Sequence, residues 1–259
     1  MGGSAAITLA VTAGVFFALW IVSLRIRNAS IVDVWWGPGF SLIALVSFLL
    51  APGDALPRRQ LVLILTAIWG LRLGFHLLLR NAGRGEDFRY AAMRRRWGDG
   101  FPLKSLTTVF ALQAALMWVV SLPLQVAMHA ATPVSLGTWD LLGIVVFAIG
   151  LFFETVGDLQ LARFKADPAN AGRVMDRGLW RYTRHPNYFG DAVAWWGLWL
   201  IALAVPGGFW SIVGPIVMTV LLTRVSGVPM LERTIGKRRP GYDEYVRRTS
   251  AFVPRPPRG

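Results

Sequence analysis

An all-α integral membrane protein, a bundle of seven transmembrane helices with cytoplasmic cofactor-binding loops, is the fold class this sequence predicts. Three observations carry that expectation. Hydrophobic residues make up 54% of the 259 and charged residues only 16%, where a soluble domain carries about 25% charge. Apolar stretches long enough for a hydrocarbon core of about 30 Å recur along the whole chain. Nothing alternates with a period of two as barrel strands do, and backbone groups in lipid must pair within their own segment, so the spans should be helices.

In order, the predicted spans are Ala5–Leu24, Trp35–Ala51, Leu61–Leu79, Ser105–Met128, Trp139–Phe153, Tyr188–Val205 and Trp210–Leu222. The first, within MGGSAAITLAVTAGVFFALW, has no basic segment before it and further spans after it, so it reads as a membrane helix and not as a cleaved leader. Short turns at Pro52–Pro57 and Pro206–Gly208 follow from their Pro and Gly content. A short helix near Gly241–Arg248 is expected in the tail. With no internal repeat and no long linker, residues 1–259 read as a single membrane domain. Of the 27 Lys and Arg, all but Arg58, Arg59 and Arg72 fall in alternate loops or the tail. That bias predicts an N-terminus outside and a cytoplasmic C-terminus.

Composition also excludes. Without cysteine there is no disulfide and no thiolate chemistry. His76, His129 and His185 are far apart, so no metal site is expected. The formal charge of +13 does not indicate nucleic acid, because the cations sit between apolar runs, where they set topology and meet lipid headgroups.

Polar clusters flank the spans on the basic side, and such groups at a membrane boundary mark a site unless they are satisfied. The densest is GLWRYTRHPNYFGDAVAWWG, residues 178–197, with Arg181, Arg184, His185, Asn187 and Asp191. Before it, Glu154 and Asp158 lie four residues apart and so on one helical face. Acids there suit a ribose or an amide, while Arg163, Lys165, Arg181 and Arg184 suit phosphates. Ile31–Gly39 carries Asp33, Arg84–Trp97 carries Glu86, Asp87, Arg89 and Tyr90, and Glu232–Arg248 closes the set. Each has a plain structural alternative: Glu86 and Asp87 balancing Arg84 and Arg89, Arg94–Arg96 anchoring to headgroups, and Asp33 pairing with Arg25, Arg27 or Arg72. No strand-linked GxGxxG is present, so a dinucleotide would sit in a non-Rossmann site. Charge alone does not separate NADPH from S-adenosylmethionine.

GLWRYTRHPNYFGD followed by WWG, with GYDEYVRRTSAFVP near the C-terminus, resembles the membrane family of steroid 5α-reductases and sterol reductases. SIVDVWWGPGF, RGEDFRYAAMRRRWG and GDLQLARFK are similar to a bacterial branch of 5α-reductase-like proteins. The resemblance implies that Tyr182, Arg184, His185, Asn187 and Asp191 surround NADPH, that Asp158 contacts it, and that Glu232 and Tyr242 complete the cofactor site from the tail. Isoprenylcysteine and phospholipid methyltransferases share an RHPxYxG segment, but usually carry a Glu-Glu pair in the tail where this chain has MLERTIG, with Glu232 alone. The Gln-Glu pair by which 5α-reductases polarise a steroid ketone is replaced by Val32-Asp33, and their partner tyrosine is missing from AIWGLRLGF.

The expected function is therefore an NADPH-dependent reductase. It would act on a carbon-carbon double bond of a lipophilic, steroid-like, sterol-like or other lipid-like substrate entering from the bilayer. Hydride addition to an enone builds charge on its oxygen, and a donor must meet it. Asp33 as a protonated carboxyl, with Tyr90 or Glu86 as helper, is the expected donor. The alternatives are an S-adenosylmethionine-dependent lipid or isoprenylcysteine-type methyltransferase and a non-catalytic lipid-binding membrane protein.

Overall fold

A computed structural model describes residues 2–53, 57–225, 227–228, 232 and 240–258. Residues 54–56 of the expected turn and 233–239 of the basic tail lie outside the described residues. The helices are α1 (Gly2–Arg25), α2 (Ile31–Leu49), α3 (Pro57–Asn81), α4 (Phe88–Trp97), α5 (Phe101–Ser105), α6 (Leu112–Val120), α7 (Leu122–His129), α8 (Thr138–Ala166), α9 (Pro186–Ala202), α10 (Val213–Val220) and α11 (Tyr242–Arg248). Among the described residues there is no strand, only an isolated bridge between Thr183 and Ser250.

Among the described residues, six helical runs are long and apolar enough to cross a membrane: α1, α2, α3, Phe88–Val120, α8 and Gly208–Val225. The sequence predicts seven. The difference is Tyr188–Val205, which folds as the 17-residue α9, at the short end of the roughly 17–25 residues that cross a bilayer. Two boundaries also move. Ser105–Met128 is interrupted at Ser121, and its helical run begins as far back as Phe88. The fifth span does not stop at Phe153 but continues to Ala166, because Glu154 and Asp158 turn inward and are buried instead of ending the helix in water.

The chain divides into two compact units, residues 1–137 with 202–213, and residues 138–201 with 214–259. In the first, α2 and α3 meet backbone to backbone. A Cβ on Gly37 would lie 2.1 Å from the Gly70 carbonyl oxygen, and one on Gly70 would lie 2.3 Å from that of Gly37. Without a hydrophobic drive between helices in lipid, such small-residue approaches are what hold membrane helices together. The outer face of α3 presents Ile64, Ile68, Leu71, Phe75 and Leu78 to the surroundings, while Val62, Thr66, Trp69 and Gly74 face inward. At the start of α3, buried Arg58 donates to the carbonyls of Pro133 at 2.7 Å and Ser135 at 2.9 Å, and Arg59 to Pro52 at 2.7 Å.

In the second unit α8 and α9 make the same kind of contact. A Cβ on Gly150 would lie 2.3 Å from Ala194 N, and one on Gly190 would lie 2.3 Å from Glu154 N. Around α8 the polarity is inverted relative to a soluble helix. Leu141, Val145, Ile149, Phe152 and Leu159 are exposed, and Asp140, Glu154 and Asp158 are buried. Acids inside and leucines outside suit a lipid environment. Pro186 opens α9, where its missing N–H costs nothing, and this start brings Asn187 against Gly157 of α8.

Candidate functional site

The polar residues singled out from the sequence fall into two clusters, one in each unit. In the first unit, the turn between α1 and α2 and the loop before α4 are stapled together. Glu86 Oε1 accepts from Ala29 N at 2.9 Å, and Asp87 N donates to Ser30 Oγ at 2.7 Å. Asp87 then caps α4, accepting from Arg89 N at 2.9 Å, as an aspartate at that position is suited to do. The cap fixes the register of α4, and α4 presents Arg89, Tyr90 and Arg94.

Asp33, in the first turn of α2, receives both of the first two. Arg89 Nη2 donates to Asp33 Oδ2, and Tyr90 Oη donates to Oδ1 at 2.7 Å. Gln113 Nε2 donates to the Tyr90 oxygen at 3.4 Å, and Trp36 Nε1 donates to Gln113 Oε1. Arg94 forks onto Glu86 at 3.0 and 2.8 Å and lies 4.0 Å over the Phe101 ring. Burial opposes ionisation of Glu86, but hydrogen bonds from Arg94 and the Ala29 amide outweigh it and hold the carboxyl below its usual range. The same balance, with Arg89 as donor, lowers Asp87.

These contacts change the expected roles. Asp33, the expected proton donor, has both oxygens engaged, Oδ2 by Arg89 and Oδ1 by Tyr90. Its partner is Arg89, not Arg25, Arg27 or Arg72. Glu86 is held as a carboxylate by Arg94, so Arg94 is an internal partner and not a free headgroup anchor. Tyr90 is buried at 4% exposure. Gln113 and Trp36, which the sequence did not single out, complete this network with Arg89.

The second cluster is built on α8, the Gly178–Arg181 turn, α9 and the tail. Gly178 has φ of +57°, and a side chain there would strike Gln160, whose Oε1 accepts from Leu179 N at 3.0 Å. Trp180 Nε1 donates to the Gly157 carbonyl at 3.0 Å, and Tyr245 Oη donates to the Trp180 carbonyl. Beyond this turn the tail runs alongside: Arg184 N donates to Ser250 O at 2.8 Å, Thr183 Oγ1 to Phe252 O at 2.8 Å, and Arg255 N to Tyr182 O at 3.0 Å.

Arg184 is the centre of this arrangement. Its Nε and Nη2 donate to the two Glu232 oxygens at 2.8 and 3.2 Å, and its Nη1 donates to the carbonyls of Thr249 at 2.6 Å and Val246 at 3.2 Å. The last two lie at the C-terminal end of α11, where a cation is favoured by the helix dipole. Expected to grip phosphates, Arg184 instead spends its donors inside the protein. His185 Nε2 lies 3.1 Å from Glu232 Oε1, and the His185 ring stacks on Tyr188 at 5.5 Å. Burial raises the Glu232 carboxyl, but the His185 and Arg184 hydrogen bonds and charges prevail and hold it down at about 2. Burial and the Glu232 charge push Tyr242 up to about 12.

Glu154 and Asp158 share one buried face of α8, as their spacing predicts. Asn187 Nδ2 donates to Asp158 Oδ1 at 3.0 Å. The other amide atom, Asn187 Oδ1, is buried with no hydrogen-bond donor among the described residues. Asp191 lies one turn further along α9 and is partly buried. Arg163, Lys165, Arg181 and Tyr182 are exposed. Gln160, Trp180, Tyr245 and Thr249, which shape the site, carry no charge and so drew no attention in the sequence. No group of three or more His, Cys, Asp or Glu that could hold a metal ion occurs among the described residues.

Residues 19–249 match the DUF1295 family of proteins of unknown function, and the chain belongs to that family, a membrane family related to steroid 5α-reductase-like proteins. The chain is 26% identical to an uncharacterised protein of Schizosaccharomyces pombe over 207 residues, 70% of this chain and 60% of that protein. It is 35% identical to a probable O-methyltransferase of Ustilaginoidea virens over 66 residues, 26% of this chain and 22% of that protein. The chain thus spans less than two thirds of the length of either curated relative. No solved structure matches it.

Proposed function

We propose that the protein is a membrane reductase that passes a hydride from NADPH to a carbon-carbon double bond of a lipophilic substrate drawn from the bilayer. On this reading it spans the membrane seven times, with the N-terminus outside and the tail in the cytoplasm of a bacterial cell. The observation that carries the choice of cofactor is the state of Glu232. It is the tail acid by which a methyltransferase-like site would hold a cationic cofactor, and its charge is taken up by Arg184 and His185. S-adenosylmethionine brings a sulfonium and an ammonium, which need a free carboxylate. A dinucleotide brings phosphates, and around it this segment offers cations.

The residues fit the group. Asn187 Oδ1 is a buried acceptor awaiting an N–H or O–H, which a nicotinamide carboxamide or a ribose supplies, and a buried acceptor left unmet is costly. Asp158 holds the opposite atom of that amide and so sets which way Oδ1 points. When bound, NADPH supplies the hydride. The similarity to a probable O-methyltransferase keeps methyl transfer as the second reading.

The test is paired. Consumption of NADPH is followed with a panel of conjugated enone lipids, beside transfer of labelled methyl from S-adenosylmethionine to the same panel. The proposal expects enone-dependent NADPH consumption, with the KM for NADPH raised about tenfold in Asn187→Ala through the lost acceptor. Methyl transfer without NADPH consumption overturns it.

A further inference from the structure

The Gly178–Arg181 turn and the last residues of the tail enclose a cleft of about 700 Å³, lined among others by Asp176, Arg177, Arg181, Arg248 and Arg258. That volume is in the range of small-molecule sites. Among the described residues, four guanidiniums therefore face one carboxylate. Asp176 is already engaged, 2.7 Å from Arg248 Nη2. Among the described residues no carboxylate lies within ion-pair distance of Arg177, Arg181 or Arg258.

Both walls are held by backbone and buried groups. One is pinned by Gln160 on Leu179 N and by Trp180 on the Gly157 carbonyl. The other is pinned by Arg258 N on the Arg248 carbonyl at 2.9 Å and by Arg255 N on the Tyr182 carbonyl at 3.0 Å. Cations gathered on a fixed frame repel one another, and an anion placed among them relieves that repulsion. Guanidinium forks match phosphate oxygens in particular.

We propose that this cleft is a phosphate-binding site for a ligand carrying at least two negative charges. Resting on the reductase reading above, it takes the phosphate end of the dinucleotide. Arg184, whose donors are spent, is not part of it; Arg181 and Arg258 are its principal contacts. A lipid headgroup carries the same phosphate chemistry, and the experiment separates the two sources.

Full-length protein in a zwitterionic detergent is titrated with inorganic pyrophosphate and with NADPH, as wild type and as Arg181→Ala/Arg258→Ala. Both arginines are exposed, and thermal unfolding checks that the double variant keeps the wild-type fold. Pyrophosphate is expected to bind the wild type, and the double variant to bind both ligands about tenfold or more weakly, with a shallower salt dependence. Pyrophosphate binding that is absent, or equal in the two proteins, overturns the site and leaves solvated arginines only. Arginine-dependent pyrophosphate binding with NADPH affinity unchanged overturns the assignment to the dinucleotide and spares the reductase reading. Arginine-dependent pyrophosphate binding with no NADPH binding by the wild type does the reverse: the phosphate site stands and the reductase reading falls. Nanodiscs of phosphatidylglycerol that compete away pyrophosphate, where phosphatidylcholine nanodiscs do not, identify the lipid headgroup as the source.

Discussion

The two polar clusters are built from the same residue types and come out differently. In the first unit Asp33, Glu86 and Asp87 meet Arg89 and Arg94 almost one for one, and the result is an ionic staple around a single buried phenol. In the second unit one acid, Glu232, is shared by Arg184 and His185, while other arginines and the Asn187 carbonyl oxygen are left facing outward or unmet. Balanced charge closes a site, and unbalanced charge keeps one open.

The largest effect that would break this comparison lies at Arg184. Arg184→Ala leaves the Thr249 and Val246 carbonyls without this donor and Glu232 with His185 alone. Removing one partner of a buried pair costs about 3–5 kcal/mol. Thermal unfolding in detergent should show that loss, together with earlier proteolytic release of the tail. Stability close to wild type would mean the tail is held without it. Arg89→Ala should cost less, about 1.5–3 kcal/mol for hydrogen bonds to charged groups, since the Arg89 side chain is 25% exposed against 9% for Arg184. Equal losses at the two positions would erase the distinction.

Acid sharpens the contrast further. Glu232 is held at about 2 against an ordinary 4.5. A depressed carboxyl contributes stability that is complete above its unfolded value and lost as the pH falls toward its folded one. Wild-type stability should therefore decline between pH 4.5 and 2, and Glu232→Gln should flatten that part of the profile. A profile indifferent to Glu232→Gln removes the ion pair from the account. The smallest effect belongs to Tyr182, 43% exposed: Tyr182→Ala should stay within about 0.5 kcal/mol of wild type, and a larger loss would give it a packing role.

What could be read in the sequence follows what is local. Apolar length gave the helices, and the spacing of Glu154 and Asp158 gave their common face, because both depend on neighbours within a few turns. The end of α8 is misjudged because hydropathy treats an acid as a stop, whereas here the acids point inward and the helix continues. The pairing of Asp33 with Arg89 joins residues 56 apart, and that of Arg184 with Glu232 joins residues 48 apart. No periodicity announces such pairs. They follow from a capped α4 and from a tail threaded beside Thr183. Gly143, Gly150 and Gly157 recur every seven residues along α8, and their use became visible only with the partner helix in place.

The central claim is that the second cluster takes a polyanionic dinucleotide and not a cationic cofactor. Parallel equilibrium dialysis of NADPH and S-adenosylmethionine against the wild type and Asn187→Ala tests it most directly. The account predicts saturable NADPH binding by the wild type, binding weakened about tenfold in Asn187→Ala through the lost acceptor, and no saturable S-adenosylmethionine binding by either. Saturable S-adenosylmethionine binding with none of NADPH would contradict it.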